Sequence, residues 1–246
     1  MGRGRRSRVG ALSIAAIAAC SLVSARTPRP EAAVAPAAPQ AAAQPASQGA
    51  AQPAAPAAAA AQPTADTHNG KEVSYTCLGC HGIDGYKNAY PMYSVPELRG
   101  QNPEYLVIAL HGYRDGDRSH ITMHSQTETL SEKDMLDIAA FLAGKPLVPS
   151  GKAQGTVPQA AQLCVSCHGQ DGVAAAPIYP SLAGQHEDYL VRALDEYRHG
   201  GRKNAVMRQF AGNLKDEEVA VIAAYYSRLT PKLGTEPRPY TILSSE

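Results

Sequence analysis

Two short runs concentrate the chemistry of this 246-residue chain. They are Cys77-Leu-Gly-Cys80-His81 and Cys164-Val-Ser-Cys167-His168. Two thiols three residues apart lie on one helical turn. At that spacing they can meet the two vinyl groups of a porphyrin as thioethers, and the adjacent His then reaches the iron as the proximal ligand. This order is the attachment sequence of c-type haem. A lone Cys-x-x-Cys would equally suit a disulfide, a zinc knuckle or a thioredoxin-like pair. Here a His follows both pairs, and both stand behind an export-type N-terminus, which covalent haem maturation requires. The expected cofactors are two covalently attached haem c groups, each supplying one iron.

The two runs belong to a longer repeat. Cys77 to Gly85 matches Cys164 to Gly172 at an offset of 87 residues. From there the offset is 84: Pro96-Glu-Leu98-Arg-Gly100-Gln101 matches Pro180-Ser-Leu182-Ala-Gly184-Gln185. Tyr105-Leu106, Ala109-Leu110, Tyr113-Arg114, Met123 and Ile138-Ala139-Ala140 find their partners in the same register. The first copy therefore carries three extra residues between its Cys motif and Pro96, which predicts that the two sites are not equivalent. A repeat of this length means two similar domains in tandem, and the Pro- and Gly-rich stretch from Lys145 to Gln154 separates them.

Each copy reads as helical, giving an all-α fold. Asn102-Pro103-Glu104 supplies an N-cap, a proline at the first helical position and an acid in the first turn. Leu106, Ala109, Leu110 and Tyr113 then recur at helical spacing. Ser131 with Asp134 resembles a capping box, ahead of an apolar run through Leu142 that Gly144 can end. In the second copy Lys215 stands where Ser131 does, so that cap is lost or shifted. A third helix should carry each Cys pair near its end.

The remaining chain sets context. Arg3, Arg5, Arg6 and Arg8 precede a short apolar segment, Val9 to Ala19, in the manner of a secretory signal. Residues 1–25 are read as that signal, with two competing cleavage readings. Ile17-Ala18-Ala19-Cys20 resembles a lipoprotein site with Cys20 as the lipidated mature N-terminus. Val23-Ser24-Ala25 fits ordinary cleavage. Residues 26–66 contain 19 Ala, 8 Pro and 5 Gln among 41, which cannot build a core and reads as a disordered linker. As a coil it spans roughly 35 Å, long enough for a tethered domain to visit partners on a membrane. Domain 1 is then 67–148 and domain 2 149–246. Removing the four N-terminal arginines from the formal charge of +1 leaves −3, and an acidic chain with no basic block argues against nucleic acid as a partner. No apolar run of about 18 residues exists to span a bilayer.

With both motifs, the Pro-x-Leu-x-Gly runs, the matched methionines and the final helix in register, the chain resembles the di-haem cytochrome c4 family: two class I cytochrome c domains in tandem. The resemblance covers about Thr67 to Leu233. It implies that the carbonyls of Pro96 and Pro180 orient His81 and His168. Of five methionines, only Met123 and Met207 are shared in register, 42 and 39 residues after those histidines, and they are the expected sixth iron ligands. Met92 has no counterpart but Ile178, and Met135 sits in an apolar helical stripe. His111, His120, His124, His186 and His199 match no other His and read as surface or polar-network residues. The resemblance places the two haems face to face across the domain interface, with Tyr113, Tyr197, Arg114 and Arg198 as repeat-matched candidates there.

Thioether ligation favours Fe(II), and a saturated iron offers no open site to a substrate. The expected function is therefore electron carriage, one electron per His/Met haem, with no enzymatic activity. The resembled family implies a periplasmic protein of a bacterial respiratory chain. Its partners would be redox proteins such as a quinol-oxidising complex and a terminal oxidase, with a possible membrane tether at Cys20. The alternative is a fixed cytochrome c subunit of a membrane-associated dehydrogenase or oxidase.

Overall fold

The computed structural model describes residues 64–237. Residues 1–25, expected to be a signal sequence with Cys20 in it, nearly all of the Ala/Pro/Gln-rich stretch and the last nine residues lie outside them. Nine α-helices and one 3₁₀ turn account for the regular structure, and no strand occurs among the described residues beyond isolated bridges. None of these helices is long and apolar enough to cross a membrane.

The first copy contains α1 (Thr67–Val73), α2 (Leu78–His81), α3 (Pro103–Arg114), α4 (Ile121–Thr127) and α5 (Glu132–Ala143). The second contains the 3₁₀ turn Gln159–Ala161, then α6 (Val165–His168), α7 (Glu187–His199), α8 (Ala205–Ala211) and α9 (Asp216–Ser227). Both belong to one compact unit. In each copy the long middle helix packs on the last helix, and a short helix bearing Met123 or Met207 packs on the middle one. Leu78, Leu106, Ile138, Ala139 and Leu142 form the first core. Leu190, Ile222, Ala223 and Tyr226 lead the second. Met135, on α5, is fully buried, as its place in an apolar helical stripe predicts, and Met92 is exposed.

The caps follow the expected chemistry with two exceptions. Ser131 and Asp134 close a reciprocal capping box on α5, and Gly144 ends that helix at φ 57°. On α9 half of the box survives: the Lys215 N–H donates to Glu218 Oε2 at 2.9 Å. Asn102, expected to cap α3, makes no such bond. Its side-chain amide donates to the Tyr179 carbonyl of the other copy at 2.9 Å. Docking of the two copies competes for that side chain and takes it.

Helix α1 has no α-helical counterpart in the second copy, where Gly155 and Pro158 interrupt the corresponding segment and only the 3₁₀ turn Gln159–Ala161 packs on α9. Helix α1 crosses α5 at Gly70, where an added Cβ would fall on the Asp137 carbonyl. Asp137, fully buried, accepts hydrogen bonds from the Asp66 N–H at 2.8 Å, the Asn69 amide at 2.7 Å and Lys133 Nζ at 2.7 Å. Burial alone would raise its pKa. The bonds from Asp66, Lys133 and Asn69 outweigh that and hold it below the ordinary value. Asp137→Ala should therefore cost about 2–4 kcal/mol, since it removes a charged acceptor and leaves buried donors unpaired. Val221→Ala, at the matching half-exposed site, should cost under about 0.5 kcal/mol. Thermal unfolding at pH 7 measures both. Because the folded pKa is depressed, the Asp137 contribution is present above the unfolded value of about 3.9 and is lost as pH falls through the lower folded value. The difference between wild type and Asp137→Ala should therefore shrink in acid.

In the second copy a different buried carboxylate fastens the inter-repeat connection. Asp171 accepts from Ser150 N–H at 2.6 Å, Ser150 Oγ at 2.7 Å and Gly151 N–H at 2.9 Å.

Candidate functional site

Each Cys-x-x-Cys-His run forms a single helical turn, α2 or α6, so that both sulfurs and the imidazole leave the same short element. All four cysteines are half-buried and free of disulfides. Burial pushes the Cys77 and Cys164 thiols up, which keeps them protonated at neutral pH. The histidines are set by a repeated contact. His81 Nδ1 lies 3.0 Å from the Pro96 carbonyl, and His168 Nδ1 lies 2.9 Å from the Pro180 carbonyl. A carbonyl can only accept, so the proton sits on Nδ1 and the lone pair on Nε2. Burial lowers the pKa of both imidazoles, with the proline carbonyl pulling the other way. Each is a neutral, oriented donor.

In the first copy Cys77, Cys80, His81 and Met123 wall one cleft, whose remaining lining is mostly apolar and includes Leu106 and Ile138. Met123 rides on α4, whose first turn is capped by His120 Nδ1, accepting from the Met123 N–H at 3.2 Å. The second copy repeats this with Asn204 Oδ1, which accepts from the Met207 N–H at 2.9 Å. Two reduced thiols, an imidazole with a free Nε2 and a thioether in an apolar cleft are the donor set that a covalently bound haem requires, so the residues present fit that group. In the second copy Tyr179 meets His168 edge to face, with ring centroids 6.5 Å apart. Tyr226, fully buried close to Cys164 and Cys167, has a hydroxyl with no hydrogen-bond partner.

The other histidines serve as caps and polar-network members. His111 contacts Arg114 and Glu132, and His186 contacts Glu97. His124 Nδ1–H donates to the Tyr113 carbonyl, and His199 Nδ1–H to the Asp195 carbonyl.

The boundary between the copies departs from expectation. Arg114 pairs with Asp115 and Glu132, and Arg198 with Asp195 and Asp216, all within their own copies. These arginines face acids at their own helix end and at the start of the last helix of their own copy, and do not join the interface. Arg118 and Arg202, also repeat-matched, occupy it. The Arg118 guanidinium lies 5.3 Å from the Tyr105 ring and 5.4 Å from the Tyr113 ring. That of Arg202 lies 5.5 Å from Tyr189 and 5.6 Å from Tyr197. Such stacking suits a desolvated guanidinium. The backbones beside them exchange bonds about a local two-fold: the Ser119 N–H donates to Gly201 O and the Lys203 N–H to Asp117 O, both at 2.7 Å. Arg202 and Tyr189 reach across to line the first cleft. The available signal was Gly116-Asp-Arg118 against Gly200-Gly-Arg202 at the same offset of 84.

The symmetry is incomplete. Glu196 joins Arg192 and Arg202 at 2.7 Å each. The matching residues of the first copy are Ile108, Gly112 and Arg118. The longer loop of the first copy docks on α7, with Lys87 and Ser94 both bonded to Asp188 at 3.0 Å.

The family model for cytochrome c matches twice, at residues 67–145 and 158–230. Cytochrome c4 of Pseudomonas aeruginosa is 31% identical over 186 residues, covering 69% of this chain and 91% of that protein. A thiosulfate dehydrogenase electron acceptor of Stutzerimonas stutzeri is 30% identical over 178 residues, covering 65% and 82%. Among solved structures, reduced recombinant cytochrome c4 of Pseudomonas stutzeri superposes with a TM-score of 0.55 at 26% identity, covering 68% of this chain and all of that one.

Proposed function

Because the chain belongs to the di-haem cytochrome c4 family of electron-transfer proteins, and so carries two covalently bound haem c groups, we propose how its own residues divide the work. Cys77 and Cys80 attach one haem, and Cys164 and Cys167 the other. His81 with Met123 would hold the first iron, and His168 with Met207 the second. The haem supplies a one-electron couple; the protein supplies ligands, orientation and a dry setting.

The observation that supports this reading best is the meeting of both thiols, His81 and Met123 on one cleft. The Pro96 and Pro180 carbonyls fix the imidazole tautomer and raise its basicity. The soft methionine sulfur favours the reduced metal. An iron held by both a histidine and a methionine of the protein would leave no site open for a substrate. Arg118 and Arg202, stacked on tyrosines at the interface, are the cations available to carboxylates of the bound groups.

The chain then accepts two electrons in all and passes them to redox partner proteins. We place it in the periplasm of a bacterial respiratory chain, between a quinol-oxidising complex and a terminal oxidase, tethered or free according to how the N-terminus is processed. A second reading, a cytochrome subunit serving one dehydrogenase, draws support from the likeness to a thiosulfate dehydrogenase electron acceptor.

An anaerobic reductive titration followed by carbon monoxide addition tests the carrier role. Two electrons per chain should be taken up in one-electron steps, and the reduced spectrum should be unchanged by carbon monoxide. Stoichiometric carbon monoxide binding would contradict it.

A further inference from the structure

Gln101 and Gln185, matched in the repeat, are almost fully buried at the interface, 3% and 4% exposed. Each grips the main chain of the other copy. Gln101 Nε2 donates to the Ser181 carbonyl at 2.9 Å, and Gln101 Oε1 accepts the Ser181 N–H at 2.8 Å. Gln185 Nε2 donates to the Glu97 carbonyl, and Gln185 Oε1 accepts the Glu97 N–H, both at 3.0 Å. Each Oε1 also accepts the N–H of the residue after its own glutamine, at 3.0 and 3.1 Å, which leaves only one amide orientation.

The Ser181 N–H belongs to the same peptide group as the Pro180 carbonyl, and that carbonyl accepts from His168 Nδ1–H. Likewise the Glu97 N–H shares a peptide group with the Pro96 carbonyl that accepts from His81. Amide resonance links the two ends of a peptide unit. A hydrogen bond given by its N–H makes its oxygen more negative and a better acceptor, and bonds in such a chain strengthen one another. A stronger acceptor at Nδ1 raises the donor power of Nε2.

We propose that the two glutamines act as crossed positioning residues: Gln101 of the first domain tunes the haem of the second through Pro180 and His168, and Gln185 of the second tunes the haem of the first through Pro96 and His81. The inference rests on His81 and His168 being the proximal ligands. The interface thereby couples each iron to the seating of the opposite domain. Any partner that shifts one domain against the other would alter both irons through these two peptide groups.

The test is a redox titration of the intact holo-protein followed by proton NMR. The haem-methyl resonances of each haem are assigned from Overhauser contacts to its own domain. Gln101→Met keeps the volume and removes the acceptor. It should raise the potential of the haem at Cys164 and Cys167, lowering its oxidised-to-reduced ratio about threefold at fixed ambient potential (~30 mV for a one-electron couple). The haem at Cys77 and Cys80 should stay put. Gln185→Met should do the converse, and it carries the test alone where Gln101→Met cannot be isolated. A shift confined to the variant's own domain, equal shifts in both haems, or no shift in either would overturn the crossed relay. Failure of the underlying reading is separately visible: the unaltered protein would then lack the hyperfine-shifted resonances of coordinated histidine and methionine.

Discussion

Met123→His and Met207→His should each lower the reduction potential of the haem in their own domain by hundreds of millivolts, out of the roughly 0.8 V that axial ligands command. The direction follows from the donor atom. A thioether is soft and stabilises Fe(II), whereas imidazole stabilises Fe(III) better. Both positions lie in the first turn of a short helix whose N-terminus is capped, by His120 or by Asn204, through the methionine's own N–H. Thr127 Oγ1 also donates to the Met123 carbonyl at 2.9 Å. The backbone is thus held, and the substitution changes the donor more than the position. Spectroelectrochemistry of the two variants reads the result. A potential left within tens of millivolts in either variant would remove that methionine from the ligand set.

Cys77→Ala and Cys164→Ala should leave the affected domain poorly folded. Each domain has only about 80 residues, a size at which a protein core alone is marginal. The chain has no Trp and two Phe, so aromatic bulk cannot compensate. The first core is built from Leu78, Leu106, Ile138, Ala139, Leu142 and Ala143. Leu106, Ile138, Ala139 and Leu142 also line the cleft. An apolar group filling that cleft completes the core. Mass spectrometry should find a lower yield of chains carrying both haems. Hydrogen exchange should show loss of protection in α3 and α5 for Cys77→Ala, and in α7 and α9 for Cys164→Ala. A compact, protected domain lacking its haem would refute the dependence.

What the sequence disclosed, and what it hid, follows from the range of the interactions. The proline contacts came from the family resemblance, and the short helices around Met123 and Met207 gave no signal of their own. The Cys-x-x-Cys-His turns, the long helices and the matched register of Met123 and Met207 rest on local order or on the repeat, and all were legible. Helix α1 was not. Its contact with α5 depends on Gly70, which offers no side chain, and on Asp137, a charged residue that reads as solvent-facing until its three donors are placed around it. Arg114 and Arg198 were the wrong arginines for the interface because both pairs match in register, and only packing shows which pair meets acids of its own copy. Arg118 and Arg202 follow glycines in apparent loops, where arginine reads as surface charge. Gln101 and Gln185 stood in the matched run from the start. Their role became visible only when two domains were laid face to face, because each acts on main chain 80 or more residues away.

The central claim is that both irons are held between a histidine and a methionine and so serve only to carry electrons. Near-infrared magnetic circular dichroism of the oxidised holo-protein, scaled per haem, tests it most directly. The account predicts a His/Met charge-transfer signature of full intensity from both haems. A bis-histidine or high-spin signature from either haem would contradict it.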